Sequence, residues 1–225
     1  MIMRQLTSCF ILSLFLLSGC SALRDAPPQR AVRLRVVADA KLRAKDPYWR
    51  DTASGLIRAA SDFYEREFDV KLVGVSLDGW DYDEDTPLVS ALLKDLMRRY
   101  PLAGEPYDVV VGLTGQRVAF YAGGRGLALL GNCEKGLGTY LVSSVTDPFR
   151  YSGRDTEPVE PPDGNAPRPS NSDLVALIHE FGHIFGAEHT EDIKSIMHVP
   201  FDYRDDFDPK NRAIIAKNKL CPFQR

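Results

Sequence analysis

The chain has 225 residues, of which 44% are hydrophobic and 26% are charged, and its length allows one substantial hydrophobic core in a single domain. Its 28 basic and 31 acidic side chains give a formal net charge of -3 and are mixed along the sequence. Because no basic stripe is present, we expect no nucleic acid among its partners.

The N-terminal segment is organised like an export signal. Arg4 precedes an apolar run over residues 9–17, and this run is too short to span a membrane comfortably. The sequence LSGC, which ends at Cys20, resembles the lipobox of bacterial lipoproteins, where the cysteine is lipidated and becomes the first mature residue. We therefore expect residues 1–19 to be a signal peptide, with a plain secretory signal as the alternative.

A lipid on Cys20 would anchor the protein to a membrane of the bacterial cell envelope. Residues 20–31 are polar and contain prolines, which is typical of a flexible tether between a lipid and a domain. Ser21 follows Cys20, and in Gram-negative lipoproteins an Asp at this position favours the inner membrane. The resemblance therefore favours the outer membrane over the inner one, with the domain facing the periplasm or the surface.

Two cysteines remain for the folded body once Cys9 is assigned to the signal and Cys20 to the lipid. These are Cys133 and Cys221. An even pair in an oxidising compartment predicts a disulfide, and two buried free thiols are the alternative.

The body of the chain alternates strands and helices. Hydrophobic periodicity and turn residues predict, in order, a strand over Val32–Ala38, a helix over Tyr48–Phe68, a strand over Lys71–Leu77, a helix over Thr86–Tyr100, and strands over Asp108–Leu113, Leu127–Leu130 and Thr139–Val145. Residues 147–170 are rich in proline and indicate a surface loop. This order predicts a largely parallel five-stranded sheet with crossover helices, and the short link between the last two strands allows an antiparallel edge.

The most specific sequence motif follows that loop. His179, Glu180, His183, Gly186 and His189 form the pattern HExxHxxGxxH on an amphipathic helix. Imidazoles at positions i and i+4 share one helix face and can bind a single Zn²⁺ ion. Gly186 can adopt a positive φ and end the helix, so that His189 supplies a third nitrogen. A water bound in the remaining position becomes acidic, and Glu180 is placed to act as its general base.

The block HEFGHIFGAEH resembles the extended zinc signature of metzincins, as found in reprolysin-like and matrixin-like members. The sequence Ser195-Ile196-Met197 resembles their Met-turn, in which the methionine lies beneath the metal. The resemblance implies a zinc-dependent endopeptidase with one catalytic Zn²⁺. It also implies an α/β (α+β) metzincin fold, with two backing helices, an active-site helix and a small C-terminal subdomain that ends in a helix near Pro209–Leu220.

The resemblance places one catalytic domain over residues 32–225, divided into an upper subdomain of residues 32–186 and a lower one of residues 187–225. We expect the protein to be a monomer that acts on a protein or peptide substrate. The resemblance assigns two further sets of residues to substrate binding. The edge strand would contribute Leu127, Ala128, Leu129 and Leu130, and the wall of the pocket after the cleaved bond would contribute His198, Val199 and Pro200. A Cys133–Cys221 disulfide would be similar to a bridge in reprolysin-like members.

Two other functions fit the same motif. A zinc-binding lipoprotein without activity could serve as a surface adhesin or as part of an envelope assembly. An amidase acting on cell-wall material could use the same activated water on a different carbonyl. Glu180 favours catalysis over the first alternative, because a purely structural zinc site is usually closed by four protein ligands and needs no adjacent base.

Overall fold

The computed structural model describes residues 30–82, 88–116, 125–146, 172–199, 204 and 206–224. Ten helices and strands follow one another within these residues. They are β1 (Arg30–Asp39), α1 (Ala40–Lys45), α2 (Trp49–Phe68), β2 (Val70–Trp80), α3 (Val89–Arg99), β3 (Val109–Thr114), β4 (Gly126–Ala128), β5 (Tyr140–Ser144), α4 (Ser172–Ile184) and α5 (Pro209–Asn218).

The five strands form one sheet in the order β2-β1-β3-β5-β4. Strand β1 pairs in parallel with β2 and with β3, and β3 pairs in parallel with β5. Strand β4 runs antiparallel to β5, with Gly126 opposite Ser143. The predicted mostly parallel sheet with an antiparallel edge strand is confirmed.

Helices cover both faces of this sheet. Helices α2 and α4 pack on the face formed by side chains such as Val32, Leu34 and Val111, and α3 packs on the opposite face, which includes Val37 and Val110. Both faces of the central strand β3 are buried, which explains why its sequence VVVGLT is a continuous apolar run. Helices α2 and α3 are the two predicted backing helices.

Several boundaries differ from those predicted. Strand β1 begins at Arg30, so Arg30 and Ala31 belong to the sheet and not to the tether. The short helix α1 was not predicted, and Asp39 begins it by accepting a hydrogen bond from the Leu42 amide over 2.7 Å. Helix α3 begins at Val89, three residues after the predicted N-cap at Thr86, and residues 83–87 lie outside the described part of the chain.

The predicted disulfide between Cys133 and Cys221 is confirmed, with 5.3 Å between the two Cα atoms. It joins the segment after β4 to the residues that follow α5. The C-terminal end of the chain is therefore fixed to the same end of the sheet as the edge strand.

Other sequence predictions fall on residues outside the described part of the chain. These are the signal peptide of residues 1–19, the lipidated Cys20, the tether up to residue 29 and the loop of residues 147–170. Among the helices of the described residues, none is both long enough and apolar enough to cross a membrane.

Candidate metal centre

Helix α4 carries the first two histidines of the motif on one of its faces. His179 and His183 lie one helical turn apart, and His179 is 1% exposed. The apolar residues Phe181, Ile184 and Phe185 are fully buried. The hydroxyl of Tyr64 on α2 donates to the carbonyl of Ile178 over 2.8 Å, which ties α4 to α2.

Gly186 ends the helix and turns the chain back, as the sequence predicted. Its φ is +94°, which a residue with a Cβ adopts only with strain. A Cβ at this position would also lie 2.6 Å from the carbonyl oxygen of Gly131. The main chain can therefore pass close to the segment after β4 and carry His189 back towards α4.

The three imidazoles meet at their Nε2 atoms. The Nε2 atom of His183 lies 3.1 Å from that of His179 and 3.2 Å from that of His189, and the latter two are 3.2 Å apart. The Nδ1 atom of His179 lies 2.8 Å from the Ile196 carbonyl, and that of His183 lies 2.7 Å from the Ala187 carbonyl. Because a carbonyl oxygen only accepts, both Nδ1 atoms carry the proton, and the Nε2 atoms of His179 and His183 present lone pairs.

This arrangement fits a metal ion and not a set of hydrogen bonds. Lone pairs at such distances repel unless a cation lies among them. Nitrogen ligands about 2.0–2.1 Å from a tetrahedral zinc ion are about 3.3 Å apart, close to the spacing in the structure. The described residues with metal-binding side chains include one such cluster, formed by His179, His183 and His189.

Burial also keeps these side chains in the form that binds metals. Burial lowers the pKa of His179 to about 3 and that of His183 to about 4, and it lowers the pKa of the more exposed His189. The imidazoles are consequently neutral near neutral pH, and neutral imidazole is the form that coordinates metal ions.

The Met-turn lies directly beneath α4. Met197 is fully buried, and its Sδ atom is 2.8 Å from where a Cβ on Gly182 would be. Gly182 lies between His179 and His183 in the sequence, so a glycine there makes room for the methionine. The Ile196 carbonyl orients His179, and the Thr190 amide donates to the Met197 carbonyl over 3.2 Å. The turn thus contacts the segments that carry the first and third histidines.

A polar network joins this turn to α5. The Ser195 hydroxyl donates to Asp208 over 2.8 Å, and Asp208 accepts from the main-chain and side-chain amides of Asn211 over 3.0 and 2.7 Å. Asn211 in turn accepts from the Glu188 amide and donates to the Glu188 carbonyl, each over 2.9 Å. Asp208 and Asn211 therefore hold the segment that carries His189.

A sequence profile of Metallo-peptidase family M12 matches residues 28–224. The chain belongs to this family. The fold of this metallopeptidase is also similar to that of an archaemetzincin from Methanopyrus kandleri, with a TM-score of 0.55 over 84% of this chain and 96% of that chain. At 19% sequence identity the similarity establishes a metzincin-like fold. The family implies a zinc cofactor, and the three histidines are placed to hold it.

Glu180 of the metallopeptidase is buried next to the edge strand. Its side chain is 2% exposed, and a Cβ on Gly126 would lie 2.6 Å from its Oε1 atom. The Oε2 atom is buried and has no hydrogen-bond partner among the described residues. Burial raises the pKa of Glu180 well above its ordinary value. An unpaired buried carboxyl oxygen is costly, so a polar ligand here would be stabilised.

The edge strand is tied to the start of α4 by a buried carboxylate. Asp173 in the first turn of α4 forms an ion pair with Arg125, the residue before β4. Asp173 also accepts from the Thr146 amide over 2.9 Å and from the Thr146 hydroxyl over 2.7 Å. This cluster keeps β4 and β5 at a fixed position relative to the helix that carries the metal ligands.

The predicted substrate-binding residues lie in β4 with the two residues that follow it, and in the segment after the Met-turn. Leu127, Ala128 and Leu129 are half-buried, and Leu130 is 50% exposed. Strand β4 ends at Ala128, although the Leu129 amide still donates to the Tyr140 carbonyl over 3.0 Å. His198 and Val199 follow the Met-turn and are half-buried, and Pro200 lies outside the described residues.

Several residues that shape the site escaped sequence reasoning. Gly182 and Asn211 matter through contacts with distant segments, so no local pattern reveals them. Asp208 did carry a signal, because an Asp before a Pro at the first helical position is typical of a helix N-cap. That signal predicts the helix start but not the bond to Ser195.

Proposed function

We propose that this metallopeptidase is an endopeptidase that cleaves proteins outside the cytoplasm, with Glu180 as its general base. The observation that carries the proposal is the pairing of two features. Two Nε2 lone pairs and the Nε2 atom of His189 converge on one point, and an unpaired, buried Glu180 carboxyl lies against the adjacent edge strand. A purely structural zinc site has no use for such a carboxyl.

His179, His183 and His189 would hold the zinc ion. When bound, zinc polarises the substrate carbonyl and makes a coordinated water more acidic. The Nδ1 bonds from His179 and His183 to main-chain carbonyls keep both rings oriented and support their basicity. Met197 forms the floor beneath these rings.

Glu180 would move the proton. The water oxygen attacks the peptide carbonyl carbon, and Glu180 accepts a proton from that water. When the carbon–nitrogen bond breaks, Glu180 delivers the proton to the leaving amine nitrogen. The Oε2 atom of Glu180 has no hydrogen-bond partner among the described residues, so it is available to accept that proton.

The substrate would lie along β4. Main-chain groups of Leu127 to Leu130 on this edge can pair with an extended peptide, as in other forms of strand addition. The side chain after the cleaved bond would enter the pocket bordered by His198, Val199 and Pro200. We further propose that the enzyme acts as a monomer, anchored through a lipid on Cys20 to the outer membrane. The Cys133–Cys221 disulfide supports an oxidising location.

The test is cleavage of casein and of peptides with blocked termini by the purified, zinc-loaded protein. We expect Glu180→Gln to lower kcat/KM by at least about 100-fold with little change in zinc content. Glu65→Gln, at a surface position on α2, is the matched control and should leave cleavage unchanged. Folded, zinc-loaded protein that cleaves none of these substrates would favour a binding role, and cleavage only of cell-wall material would favour an amidase.

A further inference from the structure

Arg204 lies between the Met-turn and α5, and it is 8% exposed. Its Nη1 atom donates to the His198 carbonyl over 2.6 Å. A charged side chain this deeply buried is rare unless an opposite charge or a set of hydrogen bonds compensates it.

Other arginines in the fold show the usual compensation. Arg33 pairs with Asp108 at 2.9 Å, Arg212 pairs with Glu67 at 3.0 Å, and Arg125 pairs with Asp173. Among the described residues, Arg204 has no carboxylate within ion-pair distance, and its hydrogen-bond partner is the His198 carbonyl. The remaining guanidinium donors are therefore available for an anionic ligand.

The guanidinium is held on the same turn that orients the metal centre. The Ile196 carbonyl binds His179 at 2.8 Å, and two residues later the His198 carbonyl binds Arg204 at 2.6 Å. The Ile196 and His198 carbonyls are two residues apart, so both contacts are made by one short stretch of main chain. The Arg204 guanidinium is thus held against the same turn whose Ile196 carbonyl orients His179.

A second polar group on this turn is also unpaired. The Nδ1 atom of His198 is buried and has no hydrogen-bond partner among the described residues. Arg204 is bonded to the main chain of the residue that carries this imidazole, and a guanidinium can bind a carboxylate through two parallel hydrogen bonds. A neutral aliphatic side chain would leave both groups unsatisfied.

We propose that Arg204 makes the metallopeptidase select an acidic side chain, Asp or Glu, at the residue directly after the cleaved bond. His198 forms the wall of the pocket for that residue in the proposed function, on which this inference rests. Arg204 binds the substrate carboxylate from the base of the same turn. A substrate without the carboxylate would leave the buried guanidinium without an ionic partner, which is the basis for this discrimination.

The experiment compares peptides that are identical except for Glu, Gln or Lys after the cleaved bond, all with an amidated C-terminus. We expect wild-type kcat/KM to be at least about tenfold higher for Glu than for Gln, and lowest for Lys. Arg204→Met should abolish the preference for Glu while still cleaving the Gln peptide. Arg204→Lys should restore part of the preference, and Arg58→Met, an exposed arginine on α2, should leave it intact.

Binding of the same peptides to zinc-loaded Glu180→Gln protein separates this inference from the proposed function. Tighter binding of the Glu peptide without cleavage by the wild type would refute the peptidase but support the role of Arg204. Equal cleavage of the Glu and Gln peptides, or a preference that survives in folded Arg204→Met, would overturn the inference. If a free C-terminal carboxylate raised kcat/KM more than the Glu side chain did, the proposal that Arg204 binds a substrate side chain would be overturned.

Discussion

The carboxylate of Asp208 accepts a hydrogen bond from the hydroxyl of Ser195, with 2.8 Å between the two oxygens. This contact connects the N-cap of α5 to the Met-turn, 13 residues earlier in the chain. Through Asn211 the same carboxylate supports the main chain at Glu188, next to the third histidine. The buried Asp208 side chain therefore connects the Met-turn to the segment that carries His189.

Replacing this carboxylate should weaken both the fold and the metal site. We expect Asp208→Ala to lower the free energy of unfolding by about 2–4 kcal/mol, because it removes an N-cap and leaves buried donors on Ser195 and Asn211 unpaired. Zinc affinity should fall as well. Denaturant titration and zinc competition measure the two effects. Asp62→Ala, at an exposed position on α2, should change stability by less than about 0.5 kcal/mol, and an equal change in both variants would contradict the network.

Adding one methyl group between the first two histidines should disturb the Met-turn. In Gly182→Ala the new Cβ would meet the Met197 Sδ at 2.8 Å and Phe207 at 3.0 Å. We expect overpacking to cost about 1–3 kcal/mol, more than the gain of about 1 kcal/mol from the better helix former. Gly74→Ala is the matched control, since a Cβ there meets nothing within 4 Å. If Gly182→Ala melted at or above the wild-type temperature, the close packing of Met197 beneath α4 would be disproved.

Zinc should stabilise the folded chain through the histidines and not through Glu180. Free zinc at 100 times its dissociation constant should raise the free energy of unfolding by about 2.7 kcal/mol, and a chelator should remove this gain. His189→Ala should lose most of the gain, whereas Glu180→Gln should keep it. Calorimetry with and without zinc measures these shifts. Loss of the gain in Glu180→Gln would mean that the carboxyl binds the metal directly.

The ion pair between Arg33 and Asp108 should make stability depend on pH in the acid range. Burial tends to raise the pKa of Asp108, but hydrogen bonds from the side chain and amide of Arg33 outweigh it and lower the pKa below its ordinary value. A carboxyl with a lowered folded-state pKa stabilises the protein above its unfolded pKa of about 3.9, and this contribution is lost as the pH falls through the folded value.

Wild type should therefore be more stable than Arg33→Met at pH 7, and the difference should shrink as the pH falls below about 4. Urea unfolding at a series of pH values measures it. Arg58→Met serves as the control, with a difference from wild type that stays constant with pH. A constant difference for Arg33→Met would show that the pair contributes nothing through Asp108.

The sheet and the histidine cluster could be predicted because their signals are local. The continuous apolar run of β3 reports burial on both faces, and the spacing of His179 and His183 fixes their common helix face. The short helix α1 was missed because its main signal is Asp39, which also ends a strand. Its carboxylate bonds to Thr114 and to the Gly115 amide as well, and those contacts depend on the neighbouring strand.

The supporting residues of the centre could not be predicted for a similar reason. Gly182 looks like any glycine between two histidines until Met197 is placed against it, and Arg204 looks like a surface arginine within a charged stretch. Their roles depend on how the chain after His189 returns beneath α4. No periodicity in that segment encodes the return, because short turns around the buried residues Ser195, Ile196 and Met197 make it.

The disulfide and the Asp208 network also bear on when the enzyme can become active during synthesis. A growing chain presents the three histidines before it presents Asp208, Asn211 and Cys221, which hold the third histidine and the end of the edge strand in place. The complete set of contacts exists only after Cys221 has emerged and met Cys133 in an oxidising environment. The fold thus completes the support of the third histidine only after nearly the whole chain, up to residue 221, has been made.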